Sequence, residues 1–201
     1  MTSLPAMPES LSVLRATVRE LPSALLGFSG GVDSALLAVV LRQELGPSRM
    51  LAAIGRSASY PMEQWETARR LASSFDVPVV EVDTYEMEDP RYIANPTNRC
   101  FFCKTELWRR LGLLAVERGF AVVCDGTNAD DLREHRPGHA AGVGARVRSP
   151  LAESGLTKTD IRGAARARAL KLGCARSAVS VKSSPVRPAD HVAPAATGRA
   201  G

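Results

Sequence analysis

Apolar and polar positions follow two different periods along the chain, and together they predict helices and strands in regular succession. Helical spacing marks four segments, residues 8–21, 32–45, 61–75 and 104–118. Short apolar runs, typical of buried strands, occur at residues 24–28, 50–54, 79–82 and 121–124. Strands that alternate with helices of this length indicate an α/β fold, with a parallel sheet covered by helices on both faces.

The pattern changes twice towards the end of the chain. Residues 146–151 predict a further short strand, and a last helix begins near Thr157, which can serve as its N-cap with Asp160 three residues on. From Gly173 onward the chain contains no aromatic residue, Leu or Ile, so it cannot bury enough apolar surface to order itself. We therefore expect one domain over residues 1–172 and a disordered or unrelated tail over residues 173–201.

Composition narrows the class of protein. The 201 residues are 45% hydrophobic, enough for one packed domain, and no apolar run reaches the roughly 18–20 residues of a membrane span. The first residues lack the basic flank and apolar core of a secretory signal. The expectation is a cytoplasmic protein without membrane association, whose four cysteines are reduced.

The net charge of +5 comes from the end of the chain. After Ile161 there are eight Lys or Arg residues and one acid, which leaves eighteen basic and twenty acidic side chains in residues 1–161. Since residues 1–161 are slightly acidic, the sequence argues against nucleic acid as a partner.

The stretch Ser29-Gly-Gly-Val-Asp-Ser34 joins the first predicted strand to the next helix. Ligands of such sheets bind at the carboxyl ends of the strands, where unpaired N–H groups at a helix N-terminus favour an anion. Glycines let a phosphate approach the backbone, hydroxyls of Ser29 and Ser34 add hydrogen bonds, and Asp33 suits Mg²⁺ bound with a nucleotide. A plain tight turn with a helix cap is the simpler alternative.

This loop resembles the PP-loop of the ATP pyrophosphatase superfamily, which splits ATP into AMP and pyrophosphate. Three further blocks follow it: "SASYP" from Ser57, "NPTNRCFFCK" from Asn95, and "DGTNADDLREHRPG" from Asp125 with "VRSPLAESGLTK" from Val147. In this order they resemble the LarE-type ATP-dependent sacrificial sulfur transferases over residues 25–172.

The resemblance implies a reaction and its cofactors. Such enzymes use ATP and Mg²⁺ to adenylate a carboxylate of pyridinium-3,5-biscarboxylic acid mononucleotide, a small-molecule nucleotide substrate. A cysteine of the enzyme then attacks the activated carboxyl, gives up its sulfur and becomes dehydroalanine. The product serves nickel-pincer cofactor biosynthesis, and homo-oligomers are common in the family.

Matched positions imply roles for individual residues. Asp33 and Ser34 would act at the reacting phosphate. Nucleotide binding is expected from Ser29, Gly30, Gly31, Asp33, Ser34, Ser57, Gly126, Thr127 and Asn128. Mg²⁺ would be held by Asp33, Asp130 and Asp131. Substrate phosphate or carboxylates would be bound by Arg136, Arg146 and Arg148, for each of which solvated surface is an equal alternative.

The sulfur donor is the point at which the sequence departs from the family. The family pattern Lys-Pro-x-x-x-Cys-Leu-x-Ser-Arg has its nearest match at Val181–Asp190, where Val186 takes the place of the donor cysteine. We hypothesise a shortened or frame-shifted version that lacks sulfur transfer. The other candidate donors are Cys174, Cys100 and Cys103. The latter two form a Cys-x-x-Cys pair whose role is structural by default, with zinc, iron–sulfur or redox roles open, and Cys124 is expected in the core.

Two alternatives come from outside this reaction. tRNA-thiolating enzymes also combine a PP-loop with Cys-x-x-Cys motifs, but they predict a basic face on the ordered domain. A non-catalytic ATP-binding module would bind ATP without releasing pyrophosphate.

Overall fold

The computed structural model describes residues 9–57, 61–94, 99–133 and 137–172 of the chain. The four strands are β1 (Ala24–Gly27), β2 (Met50–Arg56), β3 (Val79–Asp83) and β4 (Val122–Cys124). The helices are α1 (Glu9–Arg19), α2 (Val32–Leu45), α3 (Met62–Ser74), α4 (Pro90–Ala94), α5 (Arg99–Arg118), α6 (Ala129–Arg133), α7 (Pro137–Gly144), α8 (Pro150–Glu153) and α9 (Lys158–Leu172). A 3₁₀ turn covers Glu86–Glu88. Within the described ranges, no helix is both long and apolar enough to cross a membrane.

The four strands form one parallel sheet in the order β3-β2-β1-β4. Strand β1 pairs with a strand on each side: its Leu25 lies beside Leu51 of β2 and beside Val123 of β4. The chain builds the sheet outward from β1 through β2 to β3, then returns to place β4 on the opposite side of β1. Because the order reverses there, the carboxyl ends of β1 and β4 flank the crevice in which ligands of such sheets bind.

Helices cover both faces of the sheet, as the sequence predicts. Successive residues of a strand point to opposite faces: Leu26 packs with residues of α1, α2, α3 and α9, whereas its neighbour Leu25 packs with Trp108 and Leu111 of α5 and Ala141 of α7. All of these side chains are less than a tenth exposed. The sheet is thus buried on both sides, which is why its strands are continuous apolar runs.

The start of α9 also agrees with the sequence. The Thr157 backbone N–H donates to Asp160 Oδ2 over 3.0 Å, and the Asp160 backbone N–H donates back to Thr157 Oγ1 over 3.3 Å. This reciprocal pair satisfies N–H groups that the first helical turn leaves without partners.

Three local predictions differ from the structure. Helix α5 begins at Arg99 rather than Lys104, which places Cys100 and Cys103 in its first turns, and the short helix α4 lies between residues 82 and 104, where the sequence pattern predicts no element. The strand predicted over residues 146–151 is wrong, because Arg148 makes a single bridge beside Cys124 and Pro150, which lacks a backbone N–H, starts α8 instead. The predicted tail, residues 173–201, lies outside the described residues.

Candidate active site

The loop between β1 and α2 presents the first turn of α2 to solvent. The first backbone hydrogen bond of the helix runs from Ala35 N to the Gly31 carbonyl. The N-cap is Gly31, which has no side chain that could accept hydrogen bonds from the N–H groups of the first turn. The hydroxyls of Ser29 and Ser34 lie 3.2 Å apart, and Ser34 Oγ donates to the Gly31 carbonyl over 3.0 Å. N–H groups and hydroxyls therefore meet at one helix N-terminus, an arrangement suited to a phosphate.

Gly30 lets this loop fold onto α3. Its φ is +74°, a conformation that side chains other than glycine rarely adopt, and a Cβ at this position would lie 2.8 Å from the Cβ of Ala68. A side chain here would be strained twice, by its backbone and by its neighbour. The loop thus requires glycine at this position.

The segment after β4 closes against the same helix. A Cβ on Gly126 would lie 2.9 Å from the backbone nitrogen of Ser34, so only glycine allows the two chains to come this close. The preceding Asp125 is 8% exposed, and its carboxylate accepts hydrogen bonds from Thr127 N, Thr127 Oγ1 and Ser149 Oγ over 2.7–3.0 Å. These bonds fix the segment at the crevice.

Asn128 joins the two segments. Its side chain is fully buried; Nδ2 donates to Asp33 Oδ2 over 3.1 Å, while Oδ1 accepts from the backbone N–H groups of Asp130 and Asp131, each over 3.0 Å. One amide thus caps α6 and orients the carboxylate of the loop. The predicted grouping of Asp33 with Asn128 corresponds to a direct contact.

Of the three carboxylates predicted to hold Mg²⁺, two line the cavity and the third does not. Partial burial, and to a lesser extent the charge of Asp131, raise the pKa of Asp33 above its usual value. Asp131 lies 3.2 Å from Lys158 Nζ, whereas Asp130 accepts a hydrogen bond from the backbone N–H of Lys158 over 2.8 Å. Asp33 and Asp131 line the cavity, so they are the candidates for a cation, and Asp130 supports the start of α9.

Mg²⁺ fits this donor set. It is usually held by one or two carboxylates together with phosphate oxygens and water. The described residues contain no cluster of three or more His, Cys, Asp or Glu side chains placed to hold a metal by themselves. Two carboxylates beside a phosphate-binding helix end are consistent with a cation that arrives with a nucleotide.

A cavity of about 390 Å³ extends from this crevice across the strand ends. The loop after β1 and the segment after β4 form one part of its wall, and Ser57 follows β2. The apolar part consists of Gly27, Ala53, Gly55, Leu107 and Trp108. The remaining wall residues lie beyond β3 or on α5: Thr84, Glu86, Cys103 and Lys104.

The cysteines occupy different environments. Cys103 lines the cavity, and burial followed by the nearby charge of Glu86 raises the pKa of its thiol to about 11. Cys100, one turn earlier, is exposed. Cys124 is fully buried in β4, as predicted, and burial raises its pKa to about 12. Cys174, like Val186, lies outside the described residues.

The two predicted substrate arginines that the structure describes lie outside the cavity wall. Among the residues described, neither Arg146 nor Arg148 lines the cavity: Arg148 donates to both carboxylate oxygens of Glu153, and Arg146 sits in a turn with φ of +56°. Arg136 lies outside the described residues.

Sequence reasoning missed Glu86, Lys104 and Trp108 as cavity residues. Lys104 belongs to the quoted "NRCFFCK" block, so the block itself was a usable signal. Glu86 is 2% exposed although it lies in a segment rich in acidic residues, and no feature of the sequence indicates its burial.

A parallel sheet with a glycine loop at its reversal point is common to many nucleotide-binding α/β folds, and comparison with known proteins narrows the choice. Residues 7–94 match the sequence model of the NAD synthase family. Among solved structures, a glutamine-dependent NAD⁺ synthetase from Acinetobacter baumannii in complex with ADP superimposes with a TM-score of 0.65 at 19% identity, covering 84% of this chain and 35% of its own. The U34-tRNA thiolase NcsA from Methanococcus maripaludis, with its [4Fe-4S] cluster, gives 0.58 at 18% identity, covering 81% and 65%. The chain therefore shares the fold of these proteins and resembles the NAD synthase family over residues 7–94.

Two relatives with higher sequence identity match most of this chain. The pyridinium-3,5-bisthiocarboxylic acid mononucleotide synthase of Lactiplantibacillus plantarum is 29% identical over 154 residues, which cover 77% of this chain and 56% of the relative. An uncharacterised Synechocystis protein is 42% identical over 156 residues, 78% of this chain and 58% of the relative. The predicted resemblance to the LarE-type enzymes is thereby confirmed. The chain spans a little over half the length of these two relatives.

Proposed function

We propose that this chain binds ATP with Mg²⁺ and adenylates a carboxylate of pyridinium-3,5-biscarboxylic acid mononucleotide, in preparation for sulfur transfer. The proposal rests on the crevice between β1 and β4, where Gly126 abuts Ser34 and Asn128 holds Asp33. Two segments that resemble the same family thus build one site for phosphate and cation. The resemblance to the synthase supplies the substrate.

Each residue has a defined task in this reaction. The N–H groups at the start of α2, with Ser29 and Ser34, hold the β- and γ-phosphates. Asp33 and Asp131 hold Mg²⁺, which would offset the charge of the leaving pyrophosphate. Asn128 keeps Asp33 oriented while the substrate carboxylate attacks the α-phosphorus; an O–P bond forms to the carboxylate and the P–O bond to pyrophosphate breaks.

The second half of the reaction needs a thiol and a way to hold an anionic substrate. Cys103 is the thiol that lines the cavity within the described ranges, and Lys104, next to it, is the one cation in that part of the wall. A thiol attacking the acyl adenylate would form a thioester and release AMP. Because the pKa of Cys103 lies near 11, its proton must be removed as the carbon–sulfur bond forms.

Pyrophosphate release tests the adenylation. The purified chain is incubated with Mg-ATP, with and without the mononucleotide, and pyrophosphate and AMP are quantified. We expect release that depends on the mononucleotide and is abolished by Asp33→Asn. Asp83→Asn, a carboxylate about two-thirds exposed at the end of β3, is the matched control and should keep full activity. Intact-mass analysis then reports whether a cysteine has lost its sulfur.

Other outcomes favour the alternatives. Release of pyrophosphate driven by tRNA instead of the mononucleotide would favour tRNA thiolation. Thermal stabilisation by ATP without pyrophosphate release under either condition would favour a nucleotide-binding module, since a ligand that binds only the native state raises stability by mass action.

A further inference from the structure

A buried carboxylate lies in the cavity wall beyond β3. Glu86 is 2% exposed, the lowest exposure of any charged side chain in the described ranges, yet it lines the cavity together with Thr84. The neighbouring thiol lies within its electrostatic reach, since Glu86 contributes to the raised pKa of Cys103. Its carboxylate therefore belongs to the same wall as Cys103 and Lys104.

The sheet sets how far this carboxylate lies from the phosphate loop. Two strand spacings separate β1 from β3, with β2 between them. At about 4.8 Å per spacing, the strand ends lie roughly 10 Å apart. A nucleotide with its phosphates at α2 can therefore reach the ends of β2 and β3 with its base.

The wall between these ends is mostly apolar. Gly27, Ala53 and Gly55 line it from the strands, and α5 packs onto the two glycines, where an added Cβ would lie 2.7 Å from Trp108 Cζ3 and 3.0 Å from Leu107 Cδ1. An apolar wall bordered by a few polar groups is typical of sites for small organic ligands.

We propose that Glu86 makes the site selective for 6-aminopurine nucleotides by accepting a hydrogen bond from the exocyclic amine of the base. This inference rests on the proposed binding of ATP. A carboxylate only accepts hydrogen bonds, so it complements the N6 amine of adenine. Guanine and hypoxanthine would set a carbonyl oxygen against it, which leaves two acceptors facing each other in a buried wall.

Nucleotide analogues test the proposal on the unaltered chain. Binding of ATP, GTP and purine riboside triphosphate, which lacks the 6-amino group, is measured by calorimetry with Mg²⁺ present. A hydrogen bond to a charged group is worth about 1.5–3 kcal/mol, so we expect ATP to bind at least tenfold more tightly than either analogue. Equal affinity for ATP and purine riboside triphosphate would overturn the role of Glu86.

Two matched variants test whether the Glu86 side chain itself causes the preference for ATP. Glu86→Gln can both donate and accept, so the preference for ATP over GTP should fall at least tenfold. Glu88→Gln, an exposed residue of the same 3₁₀ turn outside the cavity wall, should leave the preference unchanged. A folded Glu86→Gln variant that discriminates as well as the unaltered chain would refute the proposal.

Inorganic pyrophosphate separates this inference from the proposed function. It occupies only the loop, so Glu86→Gln and the unaltered chain should bind it equally. Binding of pyrophosphate and ATP without base discrimination would leave ATP binding intact and refute the role of Glu86. Binding of neither would overturn both proposals.

Discussion

Replacing Gly126 by Ala tests whether the two segments of the site must touch. The added Cβ would lie 2.9 Å from Ser34 N and 3.1 Å from Ser34 Cα, both backbone atoms at the start of α2. Ordinary carbon contacts need about 3.5 Å, so one segment must retreat by roughly half an ångström. Overpacking of this kind costs about 1–3 kcal/mol.

That shift falls on a proposed phosphate donor. We expect the affinity for Mg-ATP to fall about tenfold or more, equivalent to about 1.4 kcal/mol, and the midpoint of thermal unfolding to fall as well. Calorimetric titration at a temperature where the variant is fully folded measures the first effect without the second. Inorganic pyrophosphate, titrated in parallel, should be weakened by a similar factor because it needs the same N–H groups.

Gly112→Ala is the matched control. Gly112 lies within α5, and a Cβ there meets nothing within 4 Å, so the substitution should leave nucleotide affinity unchanged and stabilise the helix by up to about 1 kcal/mol. A folded Gly126→Ala variant that binds ATP and pyrophosphate within twofold of the unaltered chain would show that the close approach is unnecessary for binding.

Three further predictions concern the same crevice. Asn128→Ala should lower the free energy of unfolding by about 2 kcal/mol in denaturant titration, because it leaves the polar groups that hydrogen-bond to Asn128 without a partner. An unchanged midpoint would contradict this. Asp33→Asn should raise the melting temperature at pH 7 without Mg²⁺. The raised pKa of Asp33 means that its charged form destabilises the fold, so the gain should vanish in acid, where both side chains are neutral; a gain that persists in acid would refute this cause. Alkylation followed by peptide mass mapping should modify Cys100 first at pH 8, with Cys103 reacting as the pH approaches 11 and protected by ATP; equal rates at pH 8 would contradict the assigned burial.

Local signals predicted the elements that local forces determine. Buried strands appear in the sequence as apolar runs because both faces of the sheet are covered, and the reciprocal cap of α9 depends on Thr157 and Asp160, three residues apart. The glycine loop was identifiable because its chemistry lies within six consecutive residues. These predictions required no knowledge of the tertiary structure.

The surroundings of two side chains were not predicted from the sequence. Arg148 was matched to the substrate, and in the structure its guanidinium donates to Glu153 of α8, a helix whose first residues, Pro150 and Leu151, were predicted as strand. The burial of Glu86 depends on the packing of α5 and on its place beyond β3, neither of which an acidic loop sequence conveys. In both cases the side chain's environment is set by an element whose position the local pattern does not encode.

The topology explains why one crevice collects residues from such distant parts of the chain. Asp33 and Asn128 are 95 positions apart and share a hydrogen bond because β4 returns to pair with β1 after β3 has closed the other edge. At that reversal α2 follows β1 on one face, while α5, which precedes β4, packs on the other, and among the described residues the strand ends between them border the cavity. In the same sheet order, β2 and β3 lie on the side of β1 opposite to β4, so their carboxyl ends extend the crevice away from β4. Under the proposed function, ATP would lie with its phosphates at the start of α2 and its base towards the ends of β2 and β3.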